Sequence, residues 1–243
     1  MKQQRTFIYF SSIICLTLFC WISGYAQTDS VAVSSVDSLK IKEKYGLRLG
    51  VDLGKIVRSY IDDEYSGFEI SGDFRLGKKL YIAGEIGTED KRDVTPYLDI
   101  NTKGTYLKAG IDYNMYQNWL DMDNMIYAGF RVGASTFSHT LNQFQTYNTN
   151  QYWQPQFSSN QPQEFNDLTA FWAELILGIK AELFNNLFMG VNVQLKGLIN
   201  QTEPTNFTNI YIPGFNKTFD STKIGVGYGY TISYRIPLYK KDK

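Results

Sequence analysis

Fourteen charged side chains carry most of the chemistry this 243-residue chain could do. They are Arg48, Asp52, Glu69, Asp73, Arg75, Glu85, Lys108, Asp112, Arg131, Glu174, Lys180, Glu182, Lys196 and Arg235. Seven are acidic and seven basic, and within each segment they are spaced by even numbers of residues. A set so balanced can neutralise itself, which makes it tolerable away from water, where a lone charge is costly. It could also line a path for small polar solutes. The spacing suggests neighbours among Arg48, Asp73, Glu69 and Arg75, and among Glu174, Lys180, Glu182 and Lys196.

Other chemistry is thin. The single histidine, His139, stands in Ser138-His139-Thr140 with no acid or nucleophile at a recognisable spacing. A catalytic role, as in a lipid-modifying enzyme or protease, is therefore the lesser expectation, and the chain is read as a non-enzyme. Asp62-Asp63-Glu64 lacks the alternating oxygen ligands of a calcium loop. No zinc-type cluster, phosphate loop or dinucleotide fingerprint is present, so no metal or cofactor is expected. Gly225, Gly227 and Gly229 alternate, which is a strand pattern. Segment 139–168 holds seven Gln, five Asn and six aromatics, among them Tyr147, Tyr152, Trp153 and Phe157. Amides beside aromatic faces could grip an extracellular protein or a glycan. A second aromatic set, Phe207, Tyr211, Phe215 and Phe219, lies in 200–221. The net charge of zero excludes a basic nucleic-acid binder.

The elements that would position these residues read as strands. Tyr, Phe and Gly are abundant (18, 16 and 20) and Pro is scarce at 6, which favours β-structure. Period-two alternation, phased on aliphatic and aromatic residues alone, predicts eight strands. They run about Tyr45–Val57, Gly67–Leu76, Leu80–Gly87, Thr105–Asn114, Met125–Ser138, Thr169–Leu183, Leu187–Ile199 and Thr222–Leu238. All fourteen charges then fall opposite the apolar stripe, although they took no part in setting the phase. Most strand glycines share the charged face.

Residues 1–26 read as an export signal: Lys2 and Arg5, an apolar run from Phe7 to Ile22, and Gly24-Tyr25-Ala26 as a cleavage site. Both cysteines, Cys15 and Cys20, lie inside it, so the mature chain would have no disulfide. Residues 27–44 read as a periplasmic linker, 45–239 as one barrel domain and 240–243 as a tail.

Two barrels fit eight alternating strands. A lipocalin-like barrel turns its apolar residues inward, and an outer-membrane barrel turns them to lipid. Three features favour the second. The strands mostly reach the roughly 9–11 residues of a tilted spanning strand. The connections alternate short (77–79, 184–186) and long (58–66, 88–104, 139–168, 200–221). Glycines opposite large apolar residues suit a narrow interior.

The export segment ending Gly-Tyr-Ala-Gln, the run GIDYN (110–114) and the run MIYAGFRVGASTFSH (125–139) resemble the small outer-membrane β-barrel proteins of Bacteroidota, in a family of unknown function. The resemblance implies an all-β, eight-stranded antiparallel up-and-down transmembrane barrel with long outer loops, exported to a Gram-negative outer membrane and surrounded by its lipid. It brings no site residues. The expected role is a structural or surface-interaction barrel with a salt-bridged, largely closed interior. The alternatives are a narrow pore and, less favoured, an enzyme.

Overall fold

A computed structural model describes residues 42–116, 123–145, 158–205, 207–218 and 222–242. The chain order is β1 (Lys42–Asp52), α1 (Leu53–Ile61), β2 (Tyr65–Arg75), β3 (Leu80–Thr95), β4 (Leu98–Asn114), β5 (Met125–Gln145), β6 (Ser158–Ser159), β7 (Gln163–Phe184), β8 (Leu187–Gln201), β9 (Tyr211–Ile212), β10 (Asn216–Lys217) and β11 (Ile224–Asp242). Eight of these, β1 to β5 with β7, β8 and β11, form one antiparallel sheet. Each pairs with its chain neighbour among the eight, and β11 returns to pair with β1. The sheet therefore closes as an up-and-down barrel.

The faces of the wall follow from the alternation. Outward positions hold Ile82, Ile86, Leu107, Ile111, Leu175, Leu177, Ile179, Val193 and Leu195, all exposed. Inward positions hold the charges. Eleven of the fourteen are buried, and Glu85, Lys180 and Glu182 are half-buried. An apolar exterior around a charged interior is the transmembrane type of barrel, the inverse of a lipocalin. No helix is long and apolar enough to cross a membrane among the described residues.

Eight strands leave little room inside, and large side chains fill it. Trp172, Phe188, Met125 and Ile176 are fully buried. Trp172 lies over the bare backbone of Gly133, Tyr127 over Gly178 and Tyr106 over Gly87. A Cβ at any of these glycines would collide with the ring above it.

Several boundaries differ from the sequence reading. The first strand stops at Asp52, not Val57, because Asp52 caps a helix: its carboxylate accepts from the Lys55 backbone N–H at 3.1 Å. Segment 88–104, read as a loop, is a continuation of β3 and β4 in unbroken register from Leu80↔Tyr113 to Thr95↔Leu98, turning at Pro96-Tyr97. Its polar residues hid it, because the buried inner positions include Glu89 and Thr102 beside Ile100 and the tip is largely exposed, which leaves no apolar stripe to mark the period. β5 and β7 likewise run into the segment read as the third loop, pairing as far as Leu141↔Gln163. The barrel also extends at its base beyond 45–239, since the register sets Lys42 opposite Asp242 and Glu43 opposite Lys241.

Candidate functional site: the charged interior and its outer plug

The inward charges are stacked in tiers along the barrel axis. At the short-turn end, Arg235 reaches Asp123 and lies 3.3 Å from Glu182, with a further hydrogen bond to Asn186 at 3.2 Å. Arg75 donates to the carbonyls of Gly77 and Lys78, both at 3.0 Å, and its guanidinium lies 4.8 Å from the Tyr45 ring centre. These contacts span the short-turn end of the barrel.

The next tier is shared between strands. Asp73 accepts from Arg48 at 2.6 Å and from Lys180 at 2.7 Å. Arg131 lies 2.7 Å from Asp112, and Lys180 spans to the same carboxylate at 3.8 Å. Arg48 and Asp73 are register partners on β1 and β2, whereas Lys180 arrives from across the lumen. Only closure brings these three together.

Lys108 organises the middle tier. It donates to Glu85 at 2.7 Å and to Glu69 at 3.4 Å, with Glu174 at 3.9 Å. Glu174 accepts from the Trp172 indole at 2.6 Å and faces Lys196 at 3.6 Å. Lys196 in turn donates to the Gly214 carbonyl at 2.7 Å.

The outermost tier joins the wall to two elements in the barrel mouth. Glu89 accepts from the Lys55 ammonium of α1, from Tyr65 at 3.1 Å, from Tyr211 at 2.8 Å and from the Gly214 backbone N–H at 2.9 Å. Lys55 also donates to the Tyr106 hydroxyl at 2.6 Å, which donates to Glu69 at 2.5 Å. One buried carboxylate thus holds helix α1 and the β9–β10 hairpin together over the lumen. The hairpin is further seated by Ile212 and Phe215, packed against Tyr106, Phe137, Leu168 and Trp172. Gly214 adopts a positive φ of 81° with Tyr106 packed on it, so a side chain there would be both strained and in collision.

Lys55 and Glu89 were missed by the sequence reading. They add one base and one acid, and Asp123, the partner of Arg235, adds a further acid, so that the described interior has eight bases against nine acids. Glu89 was legible, since it continues the Glu85, Gly87 phase of β3. Lys55 was not, because strand phase would have turned it to lipid and only the helix turns it inward.

His139 is fully buried, with Nδ1 2.8 Å from Thr102 Oγ1 and Nε2 3.0 Å from Asn209 Oδ1. Both ring nitrogens are occupied by neutral partners, and the residue ties the mouth segment to β4. Outside the wall, Arg92 and Asp99 clasp the tall β3–β4 hairpin through bonds of 2.9 and 2.6 Å. The Arg92 bond holds the Asp99 carboxyl below its ordinary value. Tyr147, Tyr152, Trp153 and Phe157, the candidate surface-binding residues, lie outside the described residues.

A closed, charge-filled β-barrel with an apolar belt is the class of protein that this geometry defines. Residues 6–241 match the model of a family described as a domain of unknown function, DUF6048, and the chain belongs to that family. No curated protein matches it. Among solved structures, the attachment invasion locus protein Ail of Yersinia pestis is similar over 80% of this chain and 97% of that one, at 11% identity and a TM-score of 0.40.

Proposed function

We propose that the protein is an outer-membrane barrel of a Gram-negative cell that serves as a structural or surface-interaction element, not as an open channel or an enzyme. The observation that carries this reading is the outer plug. Glu89 clamps α1 and the β9–β10 hairpin over a lumen already crossed by ion pairs. With the body closed, what remains to meet the environment is the set of outer loops. The amide- and aromatic-rich segment 146–157 suits an extracellular protein or glycan. The export signal read in 1–26 supports the location, as does the apolar belt, which asks for lipid around it.

The folded protein in a planar bilayer should give no steady conductance, and surface partners captured by the intact protein should be lost on deleting 146–157. Stable single-channel steps from the unmodified protein would instead favour the narrow pore.

A further inference from the structure

The barrel wall changes material part-way up. β1 leaves the sheet at Asp52, where its pairing with β11 ends at Thr231 and its pairing with β2 ends at Val51↔Ile70. Its neighbours continue: β2 extends to Tyr65 and β11 to Ile224. Above Asp52 the gap between them holds helix α1. The helix carries the same two faces as the wall. Lys55 reaches the interior network, while Val57, Tyr60 and Ile61 are exposed on the other side, Tyr60 at 87%.

The two edges of the gap are treated differently. Toward β2 the helix is stitched in: Ser59 Oγ accepts from the Gly67 N–H at 2.8 Å, its own hydroxyl is shared between the Lys55 carbonyl at 2.8 Å and the Gly67 carbonyl at 3.2 Å, and Arg58 lies 3.9 Å from the Tyr65 ring centre. Toward β11 no such stitch occurs among the described residues. Residues 224–230 pair only with β8, and the Val226 carbonyl takes one long bond, 3.4 Å, from Asn216. An unpaired strand edge is not left against hydrocarbon without something to cover it.

At this seam lies a cavity of about 310 Å³. Its lining takes in both faces of the wall: Gln194, Lys196 and Gly227 from the inner face, Val193, Val226 and Tyr228 from the outer. Gly227 bares the backbone there, and a Cβ on it would come within 3.0 Å of the Lys196 ammonium. Among the described residues the charged lining has Lys55, Arg58, Lys108 and Lys196 with Asp52, Glu69 and Glu89, and Arg58 is paired outside it with Asp62 at 3.3 Å. Among the described residues Lys196 has the weakest carboxylate cover of the deeper three, with Glu174 at 3.6 Å.

We propose that the α1–β11 seam is a lateral binding site for a single-chain anionic amphiphile, its headgroup at Lys196 and its alkyl chain leaving past Val226 and Tyr228 along the outer face. Lys196, whose carboxylate neighbour stands back at 3.6 Å, selects the negative head, and the apolar outer lining selects the chain. The volume, at the lower end of the ~300–1,000 Å³ of small-molecule sites, suits a head with the start of one chain and not a two-chain lipid. The proposal rests on the membrane reading for where the amphiphile comes from and for the hydrocarbon outside the open edge of β11.

The test uses the folded protein in zwitterionic detergent with fluorophore-tagged palmitate as probe, the matched palmityl alcohol as its uncharged counterpart, and acetate as competitor. Palmitate should bind saturably, about tenfold or more tighter than the alcohol, as the loss of one charge-assisted contact implies. Acetate should not compete, which separates an amphiphile from a free anion. Lys196→Gln should reduce palmitate to the level of the alcohol, and Lys196→Arg should restore it. Gly227→Leu should weaken both probes by filling the seam. Tyr228→Ala should do the same at a position that is 75% exposed and outside the interior packing, so the test survives if Gly227→Leu does not fold. Equal binding of acid and alcohol, or variants that bind as the parent does, would overturn the site. Insertion into liposomes, measured separately, reports on the membrane reading alone.

Discussion

Glu89 shows how much one buried carboxylate can organise. Four donors from three segments converge on it, and without it the Lys55 ammonium among them would keep only the longer pair to Glu69 at 3.4 Å. Glu89→Leu alone should therefore destabilise the barrel by roughly 3–5 kcal/mol, the usual cost of breaking a buried pair from one side. Lys55→Met added to Glu89→Leu should recover part of that loss, since a neutral apolar pair removes the stranded charge. Urea unfolding of the single and double variants in liposomes would read both; additive losses would mean that the two residues do not act on each other. The fourteen charges found by alternation were legible because the wall repeats every two residues. Lys55 escaped for the same reason: it sits where that period gives way to a helix.

Among the elements, α1 departs furthest from the strand pattern. Its segment, Leu-Gly-Lys-Ile-Val-Arg-Ser-Tyr-Ile, continues the hydrophobicity of β1, so period-two reading carries the strand on to Val57. The signal for the helix was Asp52 at its N-cap, with Leu53, Ile56, Val57, Tyr60 and Ile61 at helical spacing. The height of the β3–β4 hairpin was illegible for a different reason. Its pairing comes from register propagated along the sheet, and its inner face, which buries Glu89 and Thr102 beside Ile100, carries no apolar stripe. The stitch between α1 and β2 gives a prediction at this scale. Ser59→Ala removes the side-chain acceptor of the Gly67 N–H and should cost about 1–3 kcal/mol. It should also raise amide exchange at Gly67 above that at Ile70, which keeps its strand partners. Unchanged exchange at Gly67 would mean that the helix does not depend on that bond.

For the molecule as a whole, the central claim is that the apolar face meets lipid and the charged face is the core. Eight strands with the charges opposite the apolar stripe followed from alternation, which is a property of every segment and not of one motif, whereas the inside-out polarity followed from strand length, the alternation of short and long connections and the glycines opposite large apolar residues. What binds at the seam was not legible, because it depends on where one strand stops relative to its neighbours. Leu177 tests the polarity most directly. It stands mid-strand on β7, 57% exposed, beside Val193 on β8 and Ala128 on β5. The unfolding free energy of Leu177→Arg in liposomes should fall by about 2–4 kcal/mol relative to the parent, the cost of a guanidinium near the bilayer midplane. A change within about ±0.5 kcal/mol, as for a substitution on a water-facing surface, would contradict the membrane-facing belt and the account built on it.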